Sequence, residues 1–391
     1  MTFGHLDIIK RAASAFDKLI VAVGYNSSKK GLFDPDYRAL MIRKEVEKLK
    51  LRRVEVVTFQ GLLADYAYES GAKFVVKGVR PGAKDFDYET MLHQISITQQ
   101  RGIDTHILIA REELSHVSSS AVRELALHQG LLHEYVPIRV KQAMELLIPQ
   151  LIVGVTGSIA TGKSTLSESL SNGRRIGGPD DYYGVHNIDL DKIAHGILDE
   201  QVRTEQVYVD LRYEIREHFK LGKLTRKSLG EVVFNDEFAR QELNEMLRVP
   251  IMTRVRKEIG RKQGIILLNG ALLVEAGYLK MCNNHVVVTT ASPLDQENRL
   301  INRGLTKDQI ERRLAAQMTS DEKIQEVKDA IQADGFGRLL VYDSSEREEP
   351  SANLRAKSLV LHEICRPFGS YGFSYPATTE DSREMPYVFE A

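Results

Sequence analysis

The fold of the second half of the chain is decided by Leu151-Ile152-Val153-Gly154-Val155, which is followed closely by Gly157-Ser158-Ile159-Ala160-Thr161-Gly162-Lys163-Ser164. The first segment is typical of a strand buried on both faces. The second matches the phosphate-binding pattern G-x-x-x-x-G-K-[ST]. Leu166 and Leu170 then lie on one face of a predicted helix. Strand, glycine loop and helix therefore occur in the order that a phosphate loop requires.

Such a loop binds the phosphates of a nucleoside triphosphate. Its glycines let successive backbone N–H groups turn toward phosphate oxygens, and the next helix presents its positive end to them. We predict that Lys163 reaches the β- and γ-phosphates of ATP and that the Ser164 hydroxyl helps to hold Mg²⁺. The alternative is a fortuitous glycine turn. The predicted ATP-binding residues of the loop are Gly157, Ser158, Ile159, Ala160, Thr161, Gly162, Lys163, Ser164 and Thr165.

Two acidic residues follow the next predicted strand, residues 185–188. Asp189 and Asp191 lie where a carboxylate can take a proton from an acceptor hydroxyl. A pair of this kind is also a common helix cap. Both interpretations stay open on the sequence alone.

Arginines follow a third predicted strand, residues 286–290. Arg299 and Arg303 are four residues apart, which predicts a shared helix face. Kinases of small molecules use such arginines to neutralise the phosphoryl group in transfer, whereas a solvated basic face is the alternative. Further along, a helix with Arg313 and Gln317 is predicted to border the adenine.

Together these motifs resemble the dephospho-coenzyme A kinase family over about residues 151–365. The family order is a phosphate loop, a D-x-D segment (here 189–191), a P-L-L-x-E stretch (here 271–275), an R-x-x-x-R lid and an A-Q segment (here 316–317). The resemblance implies a P-loop kinase domain that transfers the γ-phosphoryl group of ATP to the ribose 3′-hydroxyl of dephospho-coenzyme A. It also implies a role for each catalytic residue: Asp191 is the general base, and Lys163, Arg299 and Arg303 are electrostatic stabilisers.

The first 148 residues alternate amphipathic helices with short strands. Predicted strands lie at residues 19–23, 54–59, 73–77 and 105–109. Asp34 followed by Pro35 predicts the start of a helix that runs toward Leu49. Alternation of this kind predicts a parallel sheet with helices on both faces. The chain as a whole is therefore predicted to be α/β, with two doubly wound parallel-sheet domains.

Several motifs of the first half follow predicted strands, so they are expected at the carboxyl edge of its sheet. They are Ser27-Ser28-Lys29-Lys30, Lys77-Gly78-Val79-Arg80 with the later Glu89, and Val117-Ser118-Ser119-Ser120. Thr2-Phe3-Gly4-His5 opens the first helix, and on these four residues alone a capping histidine is the simpler interpretation. The serine run opens a late helix, with Ser119 or Ser120 as the expected cap.

These motifs resemble phosphopantetheine adenylyltransferase, a Rossmann-like nucleotidyltransferase, over about residues 1–145. The resemblance implies that the phosphate of 4′-phosphopantetheine attacks the α-phosphorus of ATP and that pyrophosphate leaves. His5 would stabilise the transferring phosphate, and Lys29, Leu63 and Lys77 would bind the pantetheine substrate. The residues implied to surround ATP are His5, Gly78, Val79, Arg80, Glu89, Leu114, Ser115, His116, Val117, Ser118, Ser119 and Ser120. The family opens with a strand ending in G-[ST]-F-D-P, so we expect an upstream segment that carries it.

Composition narrows the class of protein. The 53 basic and 54 acidic residues leave a net charge of −1, which disfavours a nucleic acid or a membrane surface as partner. Two cysteines cannot form a disulfide framework, and we predict a soluble, cytoplasmic protein. The predicted domains are a nucleotidyltransferase domain at 1–148, a P-loop kinase domain at 149–365 and a flexible tail at 366–391.

The product of the first implied reaction is the substrate of the second. We therefore predict a bifunctional coenzyme A synthase that uses ATP and Mg²⁺, with ATP, 4′-phosphopantetheine and dephospho-coenzyme A as its small-molecule partners. Whether copies of the chain form a homo-oligomer is left open. Two alternatives remain: a single active P-loop kinase joined to a non-catalytic nucleotidyltransferase-like domain, and a nucleotide-sensing module without turnover.

Overall fold

The computed structural model describes residues 1–25, 31–80, 103–172, 175–176, 183–233, 236–345, 350–371 and 387–390. The chain divides into two compact units, residues 1–141 and 142–391. Within the described ranges, no helix combines the length and the apolar character that crossing a bilayer requires.

The first unit alternates helices with strands, as predicted. Its helices are α1 (Phe3–Ala15), α2 (Pro35–Lys48), α3 (Leu63–Glu69), α4 (Ser119–Leu127) and the start of α5 (Ile138–Leu147), and its strands are β1 (Leu19–Gly24), β2 (Val54–Phe59), β3 (Phe74–Val79) and β4 (Asp104–Ile109). The Asp34 carboxylate caps α2 by accepting a hydrogen bond of 2.8 Å from the Tyr37 N–H. Ser118, rather than Ser119 or Ser120, caps α4, because its hydroxyl accepts from the Ala121 N–H.

The strands of the first unit form two parallel ladders, β1 with β2 and β3 with β4. No ladder joins β1 to β3 in the part of the unit that the structure describes. Helix α1 packs on both: Ile9 shares a core with Val23 of β1, and Ile8 lies over Gly78 of β3. A Cβ at Gly78 would lie 2.7 Å from Ile8 Cγ1, so only glycine permits this close approach.

The second unit is built around one seven-stranded sheet. Its strands are β5 (Gln150–Gly157), β6 (Arg175–Ile176), β7 (Tyr183–Asp189), β8 (Gly264–Asn269), β9 (His285–Thr290), β10 (Arg338–Asp343) and β11 (Tyr387–Glu390), in the order β11-β10-β9-β5-β8-β7-β6. The five central strands are parallel, and β6 and β11 are antiparallel edges.

Helices cover both faces of this sheet. They are the end of α5, then α6 (Lys163–Ser171), α7 (Leu190–Leu198), α8 (Gln206–His218), α9 (Arg226–Val233), α10 (Glu237–Ile259), α11 (Pro293–Ile301), α12 (Lys307–Ala315), α13 (Ser320–Asp334) and α14 (Pro350–Cys365). Val287 of β9 packs in one core with Leu166 of α6 and Val360 of α14. Its neighbour Val286 packs in another core with Val327 of α13. The predicted α/β class with parallel sheets is confirmed.

The predicted flexible tail needs correction. Residues 366–371 form a 3₁₀-helix, and Tyr387–Glu390 pairs with β10 as an antiparallel edge strand. The aromatic ring of Phe389 packs against the core on the α13 side of the sheet. The strand satisfies backbone groups that β10 would otherwise leave unpaired at a sheet edge. Residues 372–386 and 391 lie outside the described ranges.

Candidate functional site

The phosphate loop lies at the carboxyl end of β5 and leads directly into α6. Ala160 and Gly162 have φ values of 61° and 83°, in the left-handed region. Gly157 has φ 150°, and a Cβ there would lie 2.3 Å from the Thr289 carbonyl oxygen. Glycine is therefore required at Gly157 both by conformation and by space.

Protein donors satisfy the carbonyl oxygens of this loop. Lys163 Nζ donates to the carbonyls of Gly157 and Ser158, at 3.0 and 2.8 Å. The Ser344 hydroxyl donates to the Thr161 carbonyl at 2.8 Å. With its carbonyls held in this way, the loop can offer N–H groups to a phosphate.

Arg299 links two loops at the carboxyl edge of the sheet. Its guanidinium donates to the Ala160 carbonyl at 3.0 Å, to the Ser344 hydroxyl at 3.0 Å and to the Ser344 carbonyl at 2.6 Å. Arg299 therefore joins the phosphate loop to the segment after β10.

The prediction that Arg299 and Arg303 share a helix face is wrong. Helix α11 ends at Ile301, and Arg303 lies in the following turn, which Gly304 closes with φ 79°. The charge of Arg303 still acts on Lys163, so both arginines stay within electrostatic reach of the loop.

Lys163 and Asp191 form the electrostatic centre of this site. Burial lowers the pKa of the Lys163 ammonium to about 8, and the Asp191 carboxylate opposes that shift. Asp191 is exposed as a residue, but desolvation of its carboxyl raises its pKa, and the nearby Asp189 adds to the increase. An aspartate with a raised pKa is better matched to general-base work near neutral pH.

The sequence left open whether Asp189 and Asp191 cap a helix or act as a base, and the structure distinguishes between them. The Asp189 carboxylate caps α7 by accepting a 2.9 Å hydrogen bond from the Lys192 N–H. Asp191 lies in the first turn of that helix and interacts with Lys163. The helix-cap interpretation thus holds for Asp189, and Asp191 remains the candidate base.

The other predicted kinase residues lie in or near helices α6 and α12. Ser164 and Thr165 open α6 with exposed side chains. Arg313 is in the last turn of α12, and Gln317 follows that helix with a buried side-chain oxygen that has no hydrogen-bond partner. In the described part of the chain, no three His, Cys, Asp or Glu residues are grouped so as to hold a metal ion.

The first unit contains a cavity of about 680 Å³ at the start of α1. Nine of the predicted ATP-site residues line it: His5, Gly78, Val79, Arg80, Leu114, Val117, Ser118, Ser119 and Ser120. Three separate stretches of sequence therefore meet around one space. Strands β1 and β3 both contribute to its walls, through Val23 and Val76 among others.

His5 is held as a neutral donor at this cavity. The Thr2 N–H donates to His5 Nδ1 at 3.1 Å, and the Thr2 hydroxyl lies 2.8 Å from the same nitrogen. Nδ1 is thus an acceptor, and the ring proton is on Nε2. His5 is exposed as a residue and its ring borders the cavity, but desolvation of the ring, followed by the positive charges of the Met1 amino group and Arg80, lowers the pKa of His5 to about 4.

Some predicted residues of the first unit lie elsewhere. Leu63, Lys77, Ser115 and His116 are described but do not line the cavity. Lys77 alternates along β3 with Val76 and Gly78, which do line it, and successive strand residues point to opposite faces. The ring of His116 packs edge-on against Tyr135, with 5.8 Å between centroids. Lys29 and Glu89 lie outside the described ranges.

Sequence reasoning missed several residues at both sites. Arg38 of α2 lines the cavity, and its guanidinium donates to the Gly24 carbonyl at 3.1 Å. In the second unit, Thr289 and Ser344 follow the same rule as the predicted residues, because each lies at or just after the carboxyl end of a parallel strand. That position was a usable signal. The buried Lys323 on α13 carried no such signal.

Comparison with known proteins gives a separate match for each unit. A family model described as dephospho-CoA kinase matches residues 151–337, and one described as cytidylyltransferase-like matches residues 1–125. A phosphopantetheine adenylyltransferase from Geotalea daltonii is 39% identical over 145 residues, which cover 37% of this chain and 88% of that protein. The phosphopantetheine adenylyltransferase of Haemophilus ducreyi gives the same identity and coverage.

Among solved structures, TT1252 from Thermus thermophilus is 23% identical. The match covers 55% of this chain and 97% of that chain, with a TM-score of 0.41.

Proposed function

The chain belongs to the phosphopantetheine adenylyltransferase family and also carries a dephospho-CoA kinase domain, and we propose that it performs the last two steps of coenzyme A biosynthesis. The first unit transfers the adenylyl group of ATP to 4′-phosphopantetheine. The second unit phosphorylates the ribose 3′-hydroxyl of the dephospho-CoA that results. The observation that carries the proposal is that one chain contains both units, and the product of the first unit's reaction is the substrate of the second unit's reaction.

In the first unit, catalysis depends on position and charge rather than on a covalent intermediate. A phosphate oxygen of 4′-phosphopantetheine attacks the α-phosphorus of ATP, and the bond to the leaving pyrophosphate breaks. His5 is neutral, so its Nε2–H donates a hydrogen bond to the transferring phosphate. Arg80 and the N-terminus of α4 add positive potential at the same cavity.

In the second unit, the loop N–H groups and Lys163 bind the triphosphate. The Asp191 carboxylate takes the proton of the 3′-hydroxyl as its oxygen attacks the γ-phosphorus, and ADP leaves. Lys163 and Arg303 stabilise the charge on the phosphoryl group in transfer, while Arg299 keeps the phosphate loop and the Ser344 segment together. Arg313 and Gln317 border the adenine.

The hydroxyl of Ser164 at the start of α6 is a hard oxygen donor of the kind that suits Mg²⁺, which also takes oxygens from nucleotide phosphates. When bound, Mg²⁺ would neutralise phosphate charge beside Ser164. The cytoplasmic location and the lack of a nucleic-acid partner remain predictions from composition.

The test is to supply the purified chain with ATP and Mg²⁺ plus either 4′-phosphopantetheine or dephospho-CoA. Mass spectrometry follows dephospho-CoA and CoA, and a coupled assay follows pyrophosphate. We expect pyrophosphate and CoA from the first substrate and CoA without pyrophosphate from the second.

A kinase joined to a non-catalytic first unit is the competing function. It predicts CoA from dephospho-CoA only. Absence of both products, with ATP binding intact, would instead indicate a nucleotide sensor.

A further inference from the structure

The carboxylate of Asp7 in α1 is shared by two arginines. Asp7 lies two residues after His5, and 12% of its side chain is exposed. Its Oδ2 accepts a hydrogen bond of 3.2 Å from Arg11 Nη1, and its Oδ1 lies 3.1 Å from Arg111 Nε. Both carboxylate oxygens are therefore used. One partner belongs to α1 itself, whereas the other lies just after β4.

The two arginines hold the chain on both sides of Ala110, which lines the cavity of the first unit. Arg11 Nη1 also donates to the Ile109 carbonyl at 2.7 Å. Arg111 comes directly after Ala110, and its carbonyl accepts from the Leu114 N–H at 3.0 Å, which begins a short 3₁₀ turn. Helix α1 is thus attached to the chain immediately before and immediately after Ala110.

The attached segment leads directly to residues that the family resemblance places around ATP. Leu114 lines the cavity, and its carbonyl accepts from the Val117 N–H at 3.0 Å. Ser118, the next residue, also lines the cavity and caps α4, so the positive end of that helix lies at the cavity wall. His5 lines the same cavity from the start of α1. The ion pairs of Asp7 therefore connect the helix that carries His5 to the segment that carries Ser118.

We propose that Asp7 is a positioning residue for ATP in adenylyl transfer: its carboxylate, through the two arginines, holds residues 110–118 against α1. This inference rests on the proposed function of the first unit. Hydrogen bonds between charged groups are shorter and stronger than those between neutral groups, so the carboxylate suits this task. Asp7 does not line the cavity. Its loss should therefore act through the position of the segment and not through contact with the nucleotide.

The main variant is Asp7→Asn, which keeps the size of the side chain and removes its charge. We expect KM for ATP in adenylyl transfer to rise by about tenfold, with kcat and KM for 4′-phosphopantetheine nearly unchanged. The matched control is the same acid-to-amide change at Glu55 of β2, Glu55→Gln. Glu55 pairs with Lys18 at 2.9 Å, and neither residue lines the cavity. The control should leave both KM values unchanged.

Variants of Arg111 test whether Asp7 acts through its partner. Arg111→Met should raise KM for ATP by about threefold, because 58% of the Arg111 side chain is exposed and exposed pairs are weak. Arg111→Lys keeps the charge and should restore most of the affinity. In the Asp7→Asn background, Arg111→Met should raise KM by less than it does alone. Fully additive effects of the two changes would overturn the proposed link.

Two measurements separate the position of the segment from turnover. Hydrogen–deuterium exchange of its hydrogen-bonded amides should become about threefold faster in Asp7→Asn and should not change in Glu55→Gln. Photolabelling with 8-azido-ATP, with the labelled peptides identified by mass spectrometry, measures the nucleotide affinity of the first unit by itself. In Asp7→Asn that affinity should fall by about tenfold. The amides to be followed are those of Ala110, Leu114, Ser115 and Val117.

Unchanged exchange and unchanged labelling in Asp7→Asn overturn the inference. A fall in KM for ATP also overturns it, because it would show that Asp7 acts by repelling the phosphates. A wild-type chain that labels its first unit but forms no dephospho-CoA overturns the proposed adenylyl transfer instead. Exchange and labelling of the variant then still decide whether Asp7 positions the nucleotide, so the two failures are distinguishable. Absence of labelling in the wild-type first unit overturns both.

Discussion

The two nucleotide sites of the chain are built by different means. In the second unit, one continuous stretch, residues 157–164, supplies the phosphate loop, and side chains such as Thr161 and Arg299 brace its backbone. In the first unit, residues from separate stretches of the chain line the cavity, among them His5, Arg80 and Ser118. A site made by a contiguous backbone is largely set by local sequence. A site assembled from distant side chains depends on the packing that brings them together.

The largest expected effect is in the backbone-built site. Lys163→Ala should lower the kcat of the kinase by about a thousandfold, because it removes the cation that stabilises the transferring phosphoryl group. A dephospho-CoA phosphorylation assay measures this loss. Pyrophosphate release from 4′-phosphopantetheine should not change, and a parallel loss there would contradict the independence of the two sites.

The corresponding change in the cavity is His5→Ala. Adenylyl transfer should fall by between about a hundredfold and a thousandfold, because the neutral Nε2–H donor to the phosphate is lost. The control is His128→Ala, since the His128 side chain is 74% exposed and pairs with Glu124 at the end of α4. Equal losses in both variants would remove His5 from the mechanism.

Arg303→Met and Arg299→Met should separate charge stabilisation from loop bracing. Arg303→Met should lower the kcat of the kinase by about a hundredfold with little change in KM for ATP. Arg299→Met removes one hydrogen bond to the phosphate loop and two to Ser344, so KM for ATP should rise by about tenfold. Steady-state kinetics measure both, and identical kcat and KM changes in the two variants would refute the distinction.

The smallest expected effect is on stability and follows from the lowered pKa of His5. Between pH 6.5 and about 4 the unfolded chain binds a proton on His5 that the folded chain does not, so stability rises with pH in this window. The free energy of unfolding of the first unit, measured with urea, should therefore be lower at pH 5 than at pH 7. The difference should be at most about 1 kcal/mol, because water in the cavity screens the charge. His5→Gln should remove that difference. Adenylyl transfer should show no titration near pH 6.5.

Several features followed from the sequence alone. The phosphate loop, the Asp34 cap of α2 and the strands around Leu151, Val54 and Val286 occur close to where short-range patterns predicted them. Each of these depends on residues within a few positions of one another, so periodicity, turn chemistry and capping carry enough information. Position after parallel strands also predicted that Arg80 and the serines at 118–120 lie at one edge, and they line the same cavity.

Only the tertiary structure decided the rest. Ser344, a partner of Arg299, and Glu275, a partner of Lys323, lie 45 and 48 residues away in the chain. Strand β11 pairs with β10, which lies well before it in the sequence. The different roles of Asp189 and Asp191 depend on the groups that lie beside α7. The direction of the His5 pKa shift depends on burial that its four-residue motif does not contain. Hydrogen bonds across long loops and desolvation arise from the packed chain as a whole, and local sequence patterns do not encode them.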